Sequence, residues 1–483
     1  MAHIDLAWET LLDLSVTPPG PLHVRLTAAI RAAIRSGRIP HGAAVPPSRT
    51  LAADLRVSRW TVTRAYGELI TDGYLSGRTG SATRVSWAAE PPVKRPDAPA
   101  PAMRAPARYD LKQSHPDLRA FPRRAWAQAV RAAAESASFD QLDYSQSGGH
   151  PRLRTLLAEH LNRSRGCAVR PDMVCIYAGA GQSLLQLCRA LKAAGHRAIG
   201  VEDPGSDRHW QAARMAGLEL APVPVDENGL VVAALLDRPD VRAVCVSPAH
   251  HPATGVLLTA ERRASLLDWA RRADGLIIED DYDAQFSYDR AVPAALQGRS
   301  PDRVALLGSM SKTLGPAVGI GWVAAPRRWA DAARGAEEMQ LHPPALNQLA
   351  LADLLESGAY DRHLRATRRR LRSRRAALLT ALRQALPDLP VYGADAGMHL
   401  VLALPAGADP AGIVNAARGR DLLVCDLDDM RLTPRAGQPA LVLGYGNLKD
   451  SLIDEAAAVL ATVINERIRS LDLRTGPDAE SQP

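Results

Sequence analysis

Apolar and polar positions alternate with different periods in two parts of the chain. Up to about residue 86 the apolar residues follow helical spacing in short segments, as at Leu26, Ile30 and Ile34 of a helix predicted over residues 22–37. Beyond about residue 109, short apolar runs alternate with longer helical stretches, which predicts an α/β domain with a largely parallel sheet. The runs predicted as strands are Val174–Tyr177, Ala198–Val201, Ala243–Val246, Leu276–Ile278 and Val304–Leu307.

The pattern changes again near Leu349, where helical spacing begins to dominate and a smaller α+β lobe is predicted. Its strand candidates are His399–Ala403, Leu422–Val424 and Ala440–Leu443. Residues 87–108 are rich in Pro and Ala and have no apolar period, which is typical of a linker. The predicted organisation is therefore a small helical domain over 1–86, a linker over 87–108, an α/β domain with its small lobe over 109–473 and a flexible tail over 474–483.

Residues 48–69 predict two short helices joined by a turn. Ser48 and Ser58 are placed to cap them. On the second helix the positions with i, i+3, i+4, i+7 spacing are apolar, and they are Val62, Ala65, Tyr66 and Leu69. The other faces carry Arg59, Thr61, Thr63 and Arg64. This arrangement is typical of a helix–turn–helix, whose second helix reads the major groove of DNA, and the glycine-rich residues 72–85 predict a β-hairpin wing.

Composition and charge agree with a DNA-binding protein that has no membrane span. The net charge is +7, and residues 1–86 hold ten arginines against six acids. No run approaches the roughly 20 apolar residues of a membrane helix, and the N-terminus lacks a secretory pattern. The five cysteines form no C-x-x-C pair, so reduced thiols in the cytoplasm are expected and no metal site is predicted. For the N-terminal helices, a small helical bundle with a solvated arginine face is the interpretation that competes with DNA binding.

Two segments carry candidate chemistry at predicted strand ends. Lys312 lies among Ser309 and Ser311 after the run Val304–Leu307. Such a lysine can form a Schiff base with an aldehyde cofactor, and the serines can hold its phosphate, although a single lysine is more often a surface residue. Asp280 and Tyr282, two positions apart after Leu276–Ile278, can project to one side. The acids Glu279, Asp280, Asp281 and Asp283 also permit a Mg²⁺ site, which we rank lower because no phosphate loop accompanies them.

Two loops add weaker signals. Gly181 and Gln182 follow the strand Val174–Tyr177 at the start of a predicted helix, where backbone N–H groups suit a phosphate. His250 lies in a loop that follows Ala243–Val246 and could donate to a cofactor, although an ordinary structural histidine is the simpler interpretation.

The N-terminal segment VPPSRTLAADLRVSRWTVTRAYGELITDGYLSGRTGSATRV resembles the GntR family of winged-helix regulators over about residues 20–86. The resemblance implies that Gly80 lies at the wing tip and that a group of polar residues approaches double-stranded DNA. These are Arg49, Ser58, Arg59, Thr61 and Arg64. Ala82 departs from the pattern where the wing usually has a second glycine.

From about Tyr109 to Val463 the chain resembles the fold-type I, pyridoxal phosphate (PLP)-dependent aminotransferases, and as a whole it is similar to the MocR subgroup of GntR regulators. The resemblance implies that Lys312 binds PLP as a Schiff base, that Asp280 pairs with the pyridine nitrogen and Tyr282 with the phenolic oxygen. It places Gly181, Gln182, Ser309 and Ser311 around the phosphate. It also implies a homodimer.

Three departures from this resemblance bear on function. Gly319 stands where an arginine near the phosphate is usual, Ser206 replaces an aromatic ring that stacks on the cofactor, and the run around Val442 lacks the carboxylate-binding arginine. We therefore expect a regulator that senses PLP, an amine or an amino acid, with genes of vitamin B6 or amino-acid metabolism as targets. The alternatives are an active aminotransferase carrying a DNA-binding domain, and a regulator whose large domain has lost PLP and serves as a dimerisation scaffold.

Overall fold

The computed structural model describes residues 8–12, 20–77, 82–87, 107–143, 147–288, 293–335, 342–434 and 437–475. The chain divides into two compact units, residues 1–104 and 105–483. Most of the predicted linker lies outside the described residues, as does the predicted tail after Thr475, where the last helix ends. Within the described residues, no helix is both long enough and apolar enough to cross a membrane.

The first unit is a helical domain with a two-stranded antiparallel sheet. Its elements are α1 (Trp8–Leu11), α2 (Leu22–Arg35), α3 (Ser48–Asp54), α4 (Arg59–Thr71), β1 (Leu75–Ser76) and β2 (Arg84–Val85). Leu26, Leu51 and Leu69 are fully buried in its core. Ser58 caps α4 as predicted, because its hydroxyl accepts from the Thr61 backbone N–H at 3.1 Å. The predicted cap at Ser48 is wrong: this residue begins α3, which has no side-chain cap.

The second unit has an α/β body and a smaller lobe. Its helices are α5 (Arg123–Ser136), α6 (Phe139–Leu142), α7 (Pro151–Arg165), α8 (Ala180–Ala193), α9 (Asp207–Met215), α10 (Ala233–Leu236), α11 (Ala260–Arg272), α12 (Leu296–Arg299), α13 (Arg327–Gly335), α14 (Ala345–Glu356), α15 (Ala359–Ala385), α16 (Pro410–Gly419) and α17 (Ile453–Thr475). Its strands are β3 (Tyr109–Asp110), β4 (Val174–Tyr177), β5 (Ala198–Asp203), β6 (Glu219–Asp226), β7 (Gly229–Leu230), β8 (Val241–Val246), β9 (Leu276–Asp280), β10 (Val304–Ser309), β11 (Gly321–Ala324), β12 (Val391–Tyr392), β13 (His399–Ala403), β14 (Leu422–Leu423), β15 (Cys425–Asp426) and β16 (Ala440–Gly444).

The main sheet confirms the predicted α/β class. Its strand order is β4-β11-β10-β9-β8-β5-β6-β7, and the strands from β10 through β6 are parallel. β5 is buried along its whole length, as expected when helices cover both faces of a parallel sheet, and β4 at the edge of the sheet is also fully buried. The short strand β11 inserts antiparallel between β4 and β10, which the apolar pattern did not predict.

The smaller lobe contains an antiparallel sheet of order β12-β13-β16-β15. The predicted strand at Leu422–Val424 is shorter than expected and belongs elsewhere: β14 pairs in parallel with β3, so that Leu422 lies opposite Tyr109. The segment that opens the second unit is therefore tied to the smaller lobe.

Candidate functional site

A cavity of about 600 Å³ lies at the carboxyl ends of the parallel strands, where open α/β sheets usually bind ligands. It brings together predicted residues that are far apart in sequence. Those on its wall are Gly181, Gln182, Asp280, Tyr282, Ser309, Ser311 and Lys312. Ser206, Arg208 and His209 line the same cavity.

Lys312 follows β10 and is buried, with its Nζ donating to the Ser114 carbonyl oxygen at 2.6 Å. Burial lowers the pKa of this amine to about 8, and the positive charge of Arg208 acts in the same direction, while Asp280 and Asp283 oppose the shift. A substantial fraction of Lys312 is therefore a free amine just above neutral pH, which is the form that attacks an aldehyde.

Asp280 ends β9 and contacts a histidine that the sequence analysis missed. The His209 Nε2 lies 2.8 Å from one Asp280 carboxylate oxygen. Burial opposes protonation of His209, but its contacts with Cys245 and Asp280 outweigh burial and hold its pKa well above the usual range. The other carboxylate oxygen of Asp280 is buried and has no hydrogen-bond partner among the described residues. A protonated ring nitrogen in the cavity would satisfy it.

Tyr282 lies on the cavity wall, and His250 lies behind it. The His250 Nδ1 is 3.1 Å from the Tyr282 hydroxyl and 2.9 Å from an Asp283 carboxylate oxygen. His250 is itself fully buried and is absent from the wall, which corrects the prediction of a direct contact with a cofactor. The loop after β8 turns its side chain inward, so its action on the cavity would pass through Tyr282.

The small polar groups of the cavity meet around the start of α8. Gly181 and Gln182 lie in its first turn, and the Gln182 side chain accepts from the Ala178 backbone N–H at 2.7 Å. On the wall of the same cavity, the hydroxyls of Ser309 and Ser311 lie 2.8 Å apart. These N–H and O–H donors fit a phosphate.

Gly319, one of the three departures from the resemblance, is absent from the cavity wall. Gly319, with φ of 65°, ends a short turn away from the cavity wall, and nothing lies within 4 Å of where its Cβ would be. The guanidinium-bearing residue on the wall is instead Arg208, from the first turn of α9.

The four acids around the end of β9 do not converge, which disfavours the Mg²⁺ interpretation. Each carboxylate has its own contact: the Leu296 and Gln297 backbone N–H groups for Glu279, His209 for Asp280, Arg165 for Asp281 and His250 for Asp283.

In the first unit, α3 and the start of α4 present part of the predicted DNA-contacting set. Arg49, Ser58, Arg59 and Arg64 are exposed. Thr61 differs from the expectation, because it is buried and its hydroxyl lies 2.8 Å from that of Ser58. The neighbouring Trp60 is 65% exposed and was not predicted as a contact. Gly80 lies outside the described residues.

Comparisons with known proteins match both units. The family "Bacterial regulatory proteins, gntR family" matches residues 22–85, and "Aminotransferase class I and II" matches residues 112–417. "Probable rhizopine catabolism regulatory protein MocR" of Rhizobium meliloti is 32% identical over 461 residues, which cover 90% of this chain and 92% of that protein. "HTH-type pyridoxine biosynthesis transcriptional regulator PdxR" of Corynebacterium glutamicum is 33% identical over 413 residues, covering 84% and 89%.

Solved structures agree for the second unit. An archaeal alanine:glyoxylate aminotransferase superposes with a TM-score of 0.68 at 25% identity, covering 74% of this chain and 90% of that one. LysN, the α-aminoadipate aminotransferase of Thermus thermophilus, gives 0.67 at 25% identity, with 74% and 92% covered. The chain belongs to the MocR-type transcription regulators of the GntR family, in which a DNA-binding helix–turn–helix domain is joined to an aminotransferase-like domain.

Proposed function

We propose that this regulator holds PLP through Lys312 and that its DNA binding responds to PLP or to an amine or amino acid captured in the same cavity. The observation that carries the proposal is the meeting of Lys312, with its lowered pKa, and the unpartnered Asp280 oxygen in one cavity. When bound, PLP supplies an aldehyde on an electron-poor ring that links reversibly to amines.

The residues of this chain have separate roles in the proposal. Lys312 holds the aldehyde carbon. Asp280, oriented by His209, keeps a proton on the ring nitrogen, and Tyr282 donates to the phenolic oxygen. The phosphate lies among the donors of Gly181, Gln182, Ser309 and Ser311.

We assign Arg208 as the positive charge that balances the phosphate, because its side chain lines the cavity. Gly319, which stands where the resemblance implies an arginine, has no side chain and does not line it. Arg208→Ala is expected to weaken PLP binding by about 10- to 100-fold, in line with the loss of a charge-assisted hydrogen bond. Equilibrium titrations with PLP and with pyridoxal, which lacks the phosphate, check this. The variant should change the pyridoxal affinity little. Equal losses for the two ligands would contradict the assignment.

A sensing role is favoured over multiple-turnover transamination. The run around Val442, which lacks the arginine that aminotransferases use for the substrate carboxylate, is buried inside β16. Sustained transamination with a panel of amino donors would instead support the enzyme. Absence of any PLP binding would support the scaffold.

We also propose that the protein is a homodimer. Phe139 and Leu142 are 92% and 55% exposed, and exposed apolar side chains often mark an interface.

The DNA-binding role predicts a specific effect for Arg59, which is exposed at the start of α4. Arg59→Ala is expected to lower affinity for the gene's own upstream region by about 10-fold or more and to reduce the slope of log affinity against log salt by about 1. Fluorescence anisotropy over a salt series measures both. The control is Arg35→Ala, which removes an equal charge from the exposed end of α2. Similar losses in the two variants would leave Arg59 with no specific contact.

A further inference from the structure

A second cluster of chemically capable side chains lies behind Tyr282, outside the cavity. His250 comes from the loop after β8, Asp283 from the turn after β9, and His399 is the first residue of β13. Their side chains are almost fully buried, and one nitrogen or carboxylate oxygen from each lies within 4.8 Å of the others. The two imidazole centroids are 4.6 Å apart.

The histidines of this cluster leave ring nitrogens unsatisfied. Neither nitrogen of His399, nor the Nε2 of His250, has a hydrogen-bond partner among the described residues. Buried polar atoms in native proteins are nearly always satisfied, and an ion bound between the two rings would take one free nitrogen from each.

The backbone around the cluster holds the rings closely. A Cβ on Gly397 would lie 2.0 Å from the His250 Cε1, and the backbone there has φ of 74°. Gly255 also lies close to both rings, since a Cβ there would lie 3.5 Å from the His250 Nε2 and 3.7 Å from the His399 Nε2. Rings confined in this way keep their nitrogens in place, as a preformed metal site requires.

We propose that His250, Asp283 and His399 form a buried site for one divalent transition-metal ion of the zinc type. Two imidazoles and one carboxylate suit Zn²⁺ or Co²⁺, whereas Mg²⁺ and Ca²⁺ prefer oxygen ligands alone. The three residues are 33 and 116 positions apart and form no sequence motif. The site is additional to the proposed PLP function. One contact links it to the cofactor cavity, because the His250 Nδ1 lies 3.1 Å from the hydroxyl of Tyr282 on the cavity wall.

The test uses the full chain without an affinity tag, stripped of metal with a chelator and then titrated with Zn²⁺ against a chromophoric competitor. Mass spectrometry of bound metal gives the stoichiometry. We expect the wild type to hold one more equivalent of Zn²⁺ than His399→Leu, a variant of similar side-chain size. The control His41→Ala, which removes an exposed histidine, should retain the wild-type stoichiometry. Equal stoichiometry in the wild type and His399→Leu, or no Zn²⁺ in the wild type, would overturn the proposal.

Two further measurements distinguish this site from the cofactor cavity and from metal binding by the cysteines. Lys312→Ala should retain the ion, which separates this site from PLP binding; loss of the ion in that variant would place it in the cofactor cavity and overturn the proposal. The second measurement adds Co²⁺ to the wild type, so its outcome does not depend on whether a variant folds. It should give visible bands typical of nitrogen and oxygen ligands at low coordination number. Only the hexaaqua spectrum, or a sulfur charge-transfer band from one of the cysteines, would count against the site.

Discussion

Replacing Lys312 by alanine is expected to abolish the covalent attachment of PLP and, with it, any change in DNA affinity on adding PLP. Lys312 is buried and lines the same cavity as Asp280 and Tyr282. The visible absorbance of lysine-linked PLP should disappear completely. Borohydride trapping followed by peptide mapping should label Lys312 in the wild type. Lys192→Ala, which removes an exposed lysine of α8, should keep both signals.

The lowered pKa of Lys312 predicts how PLP capture depends on pH. Its pKa of about 8 lies below that of an ordinary lysine, chiefly because of burial. Below this pH the amine is protonated and cannot attack, so the rate of capture should rise as pH increases through about 8 and level off above it. Stopped-flow absorbance over a pH series measures the rate. A midpoint near the usual lysine pKa of about 10.4 would contradict the assigned environment. PLP bound by the wild type but trapped on another lysine would refute the role of Lys312.

Replacing Arg165 by methionine is expected to destabilise the second unit by about 3–5 kcal/mol, because it leaves a buried carboxylate without its partner. Arg165 and Asp281 are each 3% exposed and form two hydrogen bonds of 2.8 Å. The pair joins the end of α7 to the segment that follows β9, just beyond Asp280. Denaturant unfolding monitored by circular dichroism measures the change in the free energy of unfolding.

A matched surface pair provides the control for this prediction. Arg238 and Asp240 also form a hydrogen bond of 2.8 Å, but their side chains are 44% and 51% exposed. Arg238→Met should therefore change the free energy of unfolding by less than about 1 kcal/mol. The double variant Arg165→Met/Asp281→Leu should recover most of the loss, since no charge is then left buried. Equal effects of the Arg165 and Arg238 variants would show that burial does not govern the pair.

The local pattern of apolar and polar residues predicted most strands of the main sheet and the Ser58 cap, because these depend on neighbouring residues. The predicted β4 and β13 match the structure to the residue, and β5, β8, β9 and β10 each extend the predicted run at one end. These runs are recognisable because a strand covered on both faces needs continuous apolar residues. β11, only four residues of Gly-Trp-Val-Ala, carries too little pattern to be recognised, and its place between β4 and β10 depends on the whole sheet.

The sequence by itself determined the family and the two kinds of domain, and it predicted the set of Lys312, Asp280 and Tyr282, because each follows from a strand end, a helix period or a motif of adjacent residues. The tertiary structure alone decided which side chains meet across the fold. It placed His209 against Asp280, 71 residues away, and Arg208 on the cavity wall. It also turned Thr61 inward and brought His250, Asp283 and His399 together. Such contacts arise from the packing of distant elements, which has no period along the chain.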